Sequence, residues 1–161
     1  MKDPRDWKAE MNARQAADTA TRNAEAVNHR PLCDANGAPI VTFSPNGVST
    51  KDLEFYPHMI ISQSADLKAD VQVGLLYLSQ AGLTTLRLDQ ISVYDYFGKR
   101  GFGSAAVQHL VALARSSGYQ KIVGELLPDN PRQLPDLIRF YERIGFAGSH
   151  TKSGTEVSIN L

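Results

Sequence analysis

The chain has one cysteine, Cys33, in 161 residues. A single thiol can neither close an internal disulfide nor build a thiolate metal cluster. It also lacks an excess of either charge, with 17 Lys plus Arg against 17 Asp plus Glu. No global field therefore draws it to nucleic acid or to an anionic membrane, and any cationic site must be local. Long hydrophobic runs are missing too. The least charged stretch, Val71 to Leu86, contains Gln, Ser and Thr and is too short and polar to span a bilayer. The first residues, MKDPRDWKAE, are too charged for a secretory signal. The four histidines, His29, His58, His109 and His150, show no metal-ligand spacing, so no metal is expected. These absences leave a soluble, cytoplasmic chain as the expectation, with neither nucleic-acid nor membrane partners. Its length is that of one domain, residues 1–161.

What is present is concentrated between Leu86 and Ala114, LRLDQISVYDYFGKRGFGSAAVQHLVALA. It reads as a strand, a loop carrying Gly98, Gly101 and Gly103 around Lys99 and Arg100, and an amphipathic helix. A glycine-rich turn at a helix start offers unpaired N–H groups and the positive end of the helix dipole to an anion. The strand breaks its own period. Leu86 and Leu88 share one face, and Ile91 and Val93 fall on the other unless one residue near Asp89-Gln90 slips out of register, as in a β-bulge. A strand buried on both faces is the other reading.

Around this stretch the chain alternates in type. Asp3-Pro4 looks like a helix start, and residues to about Val27 are rich in Ala, Glu, Arg and Gln, which favour helix. Its stripe of Trp7, Met11, Ala16, Ala20, Ala24 and Val27 is weak. That helical arm, residues 1–30, is expected to lean on the domain or on a second copy of the chain in a homodimer. Strands are expected at Ile40–Phe43, Phe55–Ser62 and Val71–Ser79. The last turns through Gln80-Ala81-Gly82 into the Leu86 strand as a hairpin. After the central helix, with Phe102, Ala106, Val107, Leu110, Val111 and Ala114 at helical spacing and Gly118 at its end, comes a strand from Lys121 to Leu127. Its helical connection to the Leu86 strand predicts a parallel pair. A helix from Pro135 to Ile144 carries Leu137, Ile138, Tyr141 and Ile144 on its stripe. A closing hairpin turns at Lys152–Gly154. The expectation is an α/β fold with a mixed, mostly antiparallel sheet.

The loop admits two ligands. Gly101-Phe102-Gly103-Ser104-Ala105-Ala106 matches G-x-G-x-x-A, the dinucleotide fingerprint, with Glu125 where a ribose-binding acid would stand. However, the seven residues Tyr94 to Arg100 separate Val93 from Gly101, where that fold runs its strand almost directly into the first glycine. A longer loop can instead curl its N–H groups around a pyrophosphate.

On this loop, and on the later block RFYERIGF (Arg139 to Phe146), the sequence resembles the GNAT superfamily of acyl-CoA N-acyltransferases. The family's marks are Q/R-x-x-G-x-G/A at a helix start after a bulged strand, and Y-x-x-x-G-F at the end of a later helix. The resemblance implies a GNAT-like sheet with a splayed parallel strand pair at its centre and flanking helices. The acyltransferase core would run from about residue 38 to 161. It implies acetyl-CoA as co-substrate. Ile91, Ser92 and Val93 would offer backbone groups to the pantetheine, and Gly98, Lys99, Arg100, Gly101, Phe102, Gly103 and Ser104 would hold the pyrophosphate. The family's Gln or Arg position is Gly98 here, which leaves Lys99 or Arg100 to supply charge. Its usual asparagine position is Leu134, and Asn130 is the nearest candidate for that cofactor contact.

The resemblance also assigns chemistry. Tyr141 matches the family's general acid, protonating the departing thiolate. From pKa ~10 to ~8.5 that transfer is uphill by about 2 kcal/mol. Asp89 is the first candidate for a base, with Glu54 and Glu125 behind it. Deprotonating a lysine amine at pH 7 costs ~4–5 kcal/mol and an α-amine ~1 kcal/mol, so the first class of acceptor needs the base more. The implied acceptor is the amine of a small molecule or peptide. A non-catalytic acyl-CoA-binding or regulatory domain is the alternative function.

Overall fold

The structure is a computed structural model, and it describes residues 4–44, 57–67, 69–128, 131–151 and 154–161. Among the described residues three helices and seven strands follow one another as α1 (Pro4–Asn28), β1 (Val41–Ser44), β2 (His58–Gln63), β3 (Asp70–Gly82), β4 (Thr85–Val93), α2 (Phe102–Ser116), β5 (Lys121–Leu126), α3 (Leu134–Ile144), β6 (Ala147–Thr151) and β7 (Gly154–Asn160). The expected order holds throughout. Short 3₁₀ turns at Asp95–Phe97 and Pro131–Gln133 were not legible as helix. Outside the described residues lie the expected helix start at Asp3, the candidate base Glu54, the start of the second strand at Phe55, the cofactor candidate Asn130 and the closing turn at Lys152.

The strands form one sheet in the order β1-β2-β3-β4-β5-β7-β6. Only β4 and β5 are parallel, because α2 carries the chain back over the sheet between them. Every other neighbouring pair is antiparallel.

The helical spacing in α2 has the consequence expected of it. Phe102, Ala106, Val107, Leu110, Val111 and Ala114 are all buried in one core with Val41, Phe43, Ile60, Leu76, Leu86, Leu88 and Ile122 from the strands. Alternation puts the other residues of the central strands on the opposite face. There Tyr77, Arg87, Asp89 and Glu125 are exposed.

Helix α1 forms as expected but does not dock along the domain. Its stripe was to lean on the domain or on a second copy of the chain; against the domain Met11 is 44% and Val27 83% exposed, and among the described residues of the helix Ala26 is the buried hydrophobic. A stripe built mostly of alanine removes too little apolar area to dock along its length. Polar contacts hold the last turns instead. Arg22 lies over the Tyr94 ring at 4.2 Å, and Arg100 Nη2 donates to the Ala26 carbonyl at 2.9 Å. No helix among the described residues is long and apolar enough to cross a membrane.

Candidate active site

The period fault in β4 is a bulge. Tyr77 pairs with Gln90 and the next residue, Leu78, pairs with Leu88, so Asp89 has no partner across the ladder. The slip brings Leu86, Leu88, Ile91 and Val93 to one side, as the pattern required. Asp89 is exposed on the opposite face, where Ser79 Oγ donates to its Oδ1 at 2.9 Å.

The same point is where the parallel pair ends. Pairing of β4 with β5 runs from Thr85↔Lys121 to Leu88↔Gly124 and stops, while β4 continues to Val93. Beyond the bulge Ile91, Ser92 and Val93 pair with β3 alone, which leaves the backbone edge of Asp89–Val93 that faces β5 without a strand. The gap is a cleft of about 160 Å³ lined by Leu88, Asp89, Gln90, Ile91, Gly124, Glu125, Leu126, Leu127, Leu137 and Tyr141.

Gly74 of β3 sits against this segment. A Cβ there would come 2.2 Å from the Ser92 carbonyl oxygen, so only glycine permits the approach of β3 to the far half of β4. Sequence reasoning passed over it, although an isolated glycine inside the apolar run VQVGLLYL is a signal of close backbone approach. The cleft's aliphatic wall was missed as well, because Leu126, Leu127 and Leu137 look in sequence like any core leucines.

The loop after β4 ends at an open helix terminus. Gly101, the N-cap of α2, has φ 84° and gives no side-chain cap, and the first turn contains no acid. The leading N–H groups of α2, from Phe102 through Ser104, therefore have no intrahelical acceptor or side-chain cap. Lys99 also has a positive φ, 60°, unusual for a residue with a side chain. The two loop cations part company here: Arg100 reaches back to Ala26, and Lys99 makes no hydrogen bond or ion pair among the described residues.

Phe102 points inward. It meets Phe97 edge-on at 5.9 Å and stacks on His29 at 6.2 Å, so what it offers a ligand is backbone. A side chain at Gly103 would meet Phe140 at 3.6 Å, an ordinary contact, and Gly98 is extended.

Tyr141 stands on α3 with 6% of its surface exposed, edge-on to Phe140 at 5.0 Å and to Phe146 at 5.4 Å. Burial disfavours the phenolate and pushes its pKa up to about 12. It shares the cleft wall with Asp89 and Glu125. Asn130 lies outside the described residues. Cys33 is exposed and is not among the cleft residues, and no group of three or more metal-ligating side chains occurs among the described residues.

Comparison with known proteins agrees with this geometry. No curated protein sequence matches the chain. The fold is similar to that of a domain from Methanocaldococcus jannaschii DSM 2661, with TM-score 0.53 and 18% identity over 65% of this chain and 66% of that one. A Bacillus subtilis acetyltransferase in complex with CoA gives TM-score 0.51 and 16% identity over 74% and 86%. The GNAT domain of S. lividans PAT gives 0.51 and 17% over 65% and 61%. At such identities the likeness is one of fold. The model of the acetyltransferase (GNAT) family matches residues 49–146, more than half of the chain. With the bulged strand, the split parallel pair and the open helix terminus in place, the chain belongs to the acetyltransferase (GNAT) family.

Proposed function

We propose that this chain is an N-acyltransferase that moves the acetyl group of acetyl-CoA directly to a primary amine. The observation that carries the reading is the gap between β4 and β5 beyond Leu88 and Gly124, walled by Tyr141. A pantetheine arm is a chain of amides and can complete the open edge of Ile91–Val93 as a missing strand would. The pyrophosphate then falls to the loop from Gly98 to Ser104, where the N-terminus of α2 and Lys99 offer donors and charge. Arg100 supports that loop from behind through Ala26.

In the reaction the amine nitrogen attacks the thioester carbonyl carbon, the C–S bond breaks, and the departing thiolate takes the Tyr141 proton. The nitrogen sheds its own proton to water or to Asp89. At a pKa of about 12 the tyrosine is a weaker acid than the sequence suggested. Full transfer to a thiol of pKa ~8.5 is uphill by about 5 kcal/mol rather than 2. Much of that offset is recovered if the phenol donates a hydrogen bond to the developing charge before the proton moves. Asp89, exposed at the lip of the cleft and held by Ser79, is the base of this reading.

A panel of amines with acetyl-CoA, followed by release of free thiol, tests the proposal. Turnover with at least one primary amine is expected. Tight CoA binding with no turnover on any amine would leave a binding or regulatory domain instead.

A further inference from the structure

The turn from Gly98 to Gly101 is exposed along its length, and two of its residues, Lys99 and Gly101, hold positive φ of 60° and 84°. Its shape is set at its two feet. Phe97 and Phe102, on either side, are 0% and 1% exposed and meet edge-on at 5.9 Å. Both rings rest on one residue from outside the turn. His29, just past the end of α1 and 5% exposed, is edge-on to Phe97 at 6.0 Å and stacked on Phe102 at 6.2 Å, 16° from parallel. The three rings close a triangle whose sides lie within the range of favourable aromatic pairs. The imidazole is tied in turn to the sheet. Its Nε2 shares a hydrogen bond of 3.2 Å with Oγ of Ser62, a fully buried residue of β2.

Resting on the acyltransferase reading above, we infer that His29 is a positioning residue for the cofactor. Tied to Ser62, it fixes the placement of Phe97 and Phe102, and with it the aim of the N–H groups between them at the pyrophosphate. A turn shaped before the ligand arrives spares the cost of ordering it on binding. Histidine suits the place because it offers two things at once: a flat ring that carries both phenylalanines, and a ring nitrogen that bonds a buried hydroxyl. Phenylalanine would supply the first and lose the second, and alanine would supply neither. His29 lies beneath the turn and touches no reacting atom, so its effect falls on cofactor affinity and not on the chemical step.

The test measures CoA affinity by calorimetry, and KM and kcat for acetyl-CoA with an amine that is turned over. His29→Ala is expected to weaken CoA binding and raise KM by about tenfold, with kcat within about twofold of wild type. His29→Phe and Ser62→Ala each remove only the tether and should weaken binding by about fivefold. Combined, those two should be no worse than either alone, because they break one contact. His58 is the comparator, a 1% exposed histidine of β2 that lies against Phe43 at 6.2 Å and not beneath the turn. His58→Ala should lower thermal stability and leave CoA affinity unchanged. Unchanged CoA affinity in His29→Ala, fully additive losses in the double variant, or an equal loss of affinity in His58→Ala overturns the inference. If His29→Ala does not fold, the His29→Phe and Ser62→Ala pair decides by the same criteria. If CoA binds but no amine is acetylated, the acyltransfer reading fails, and the calorimetric affinities alone decide the role of His29. If the wild type binds no CoA, both fall.

Discussion

The two halves of β4 make opposite use of the same strand. From Thr85 to Leu88 it is paired on both sides, with β3 and β5, and its inward leucines are sealed in the core. From Asp89 to Val93 it keeps β3 and loses β5, and Ile91, Ser92 and Val93 are only half-buried. One unopposed residue, Asp89, and one missing side chain, at Gly74, separate the halves. The first half is built for stability. The second leaves backbone groups at a partly buried edge, each worth ~1–3 kcal/mol if it stays unsatisfied. Such an edge persists only where water or a strand-like ligand completes it.

The largest expected effect isolates the chemistry of the open half. Tyr141→Phe keeps the ring packed against Phe140 and Phe146 and removes only the hydroxyl. Turnover should fall by about 10²–10³-fold while the affinity for CoA changes little. Unchanged turnover would remove Tyr141 from the reaction and leave the open half as a binding edge alone.

A pair of glycines tests what divides the halves. In Gly74→Ala the new methyl would meet the Ser92 carbonyl at 2.2 Å, and the backbone must move; a loss of about 3 kcal/mol on urea unfolding is expected. Gly124→Ala, at the last pair before the gap, would meet the Leu88 oxygen at 3.5 Å, an ordinary contact, and should cost less than about 1 kcal/mol. Equal losses would mean that close approach is not what shapes the open half.

Next in size is an alkaline limb. The folded pKa of Tyr141 is raised from 10.0 to about 12 because burial disfavours the phenolate. The unfolded chain therefore ionises first, and the stability that Tyr141 contributes is complete below pH 10 and lost as pH rises toward 12. Two units correspond to about 3 kcal/mol, and Tyr141→Phe should flatten the wild-type decline in that window. Parallel declines in wild type and variant would show that the cleft wall is wetter than its burial indicates.

The boundary between the halves was legible in sequence because a bulge leaves a phase shift: leucines at 86 and 88, then Ile91 and Val93 out of step. Helix spacing likewise exposed the core face of α2, since every residue of that stripe is buried. What sequence could not show were contacts between distant segments. Gly74 announces that something comes close, but not that it is Ser92. The cleft leucines resemble core leucines until β5 parts from β4. The alanines of α1 were read as a stripe leaning on the domain or on a second copy, and it is the polar end of the helix that meets the domain. Lys99 and Arg100 were read alike because sequence neighbours share a charge, not a direction.

That difference between two adjacent cations gives the smallest effect. Arg100 donates to the Ala26 carbonyl near the end of α1, where a cation also meets the negative end of the helix dipole. Beside it Arg22 covers Tyr94, and His29 stacks on Phe102, so α1 grips the loop from outside the sheet. On this geometry Arg100 positions the loop rather than touching phosphate. Arg100→Gln should raise the KM for acetyl-CoA by about fivefold, the equivalent of one hydrogen bond of ~1 kcal/mol, with kcat nearly unchanged. A part-buried positioning contact at the end of α1 should lose little of its effect as salt is raised. A direct phosphate contact is screened, and its removal should matter less and less with added salt. Lys99→Gln is the matched control, since its defect is expected to fade with salt. If the Arg100 defect fades in the same way, the guanidinium leaves Ala26 when the cofactor binds, and both cations belong to the anion site.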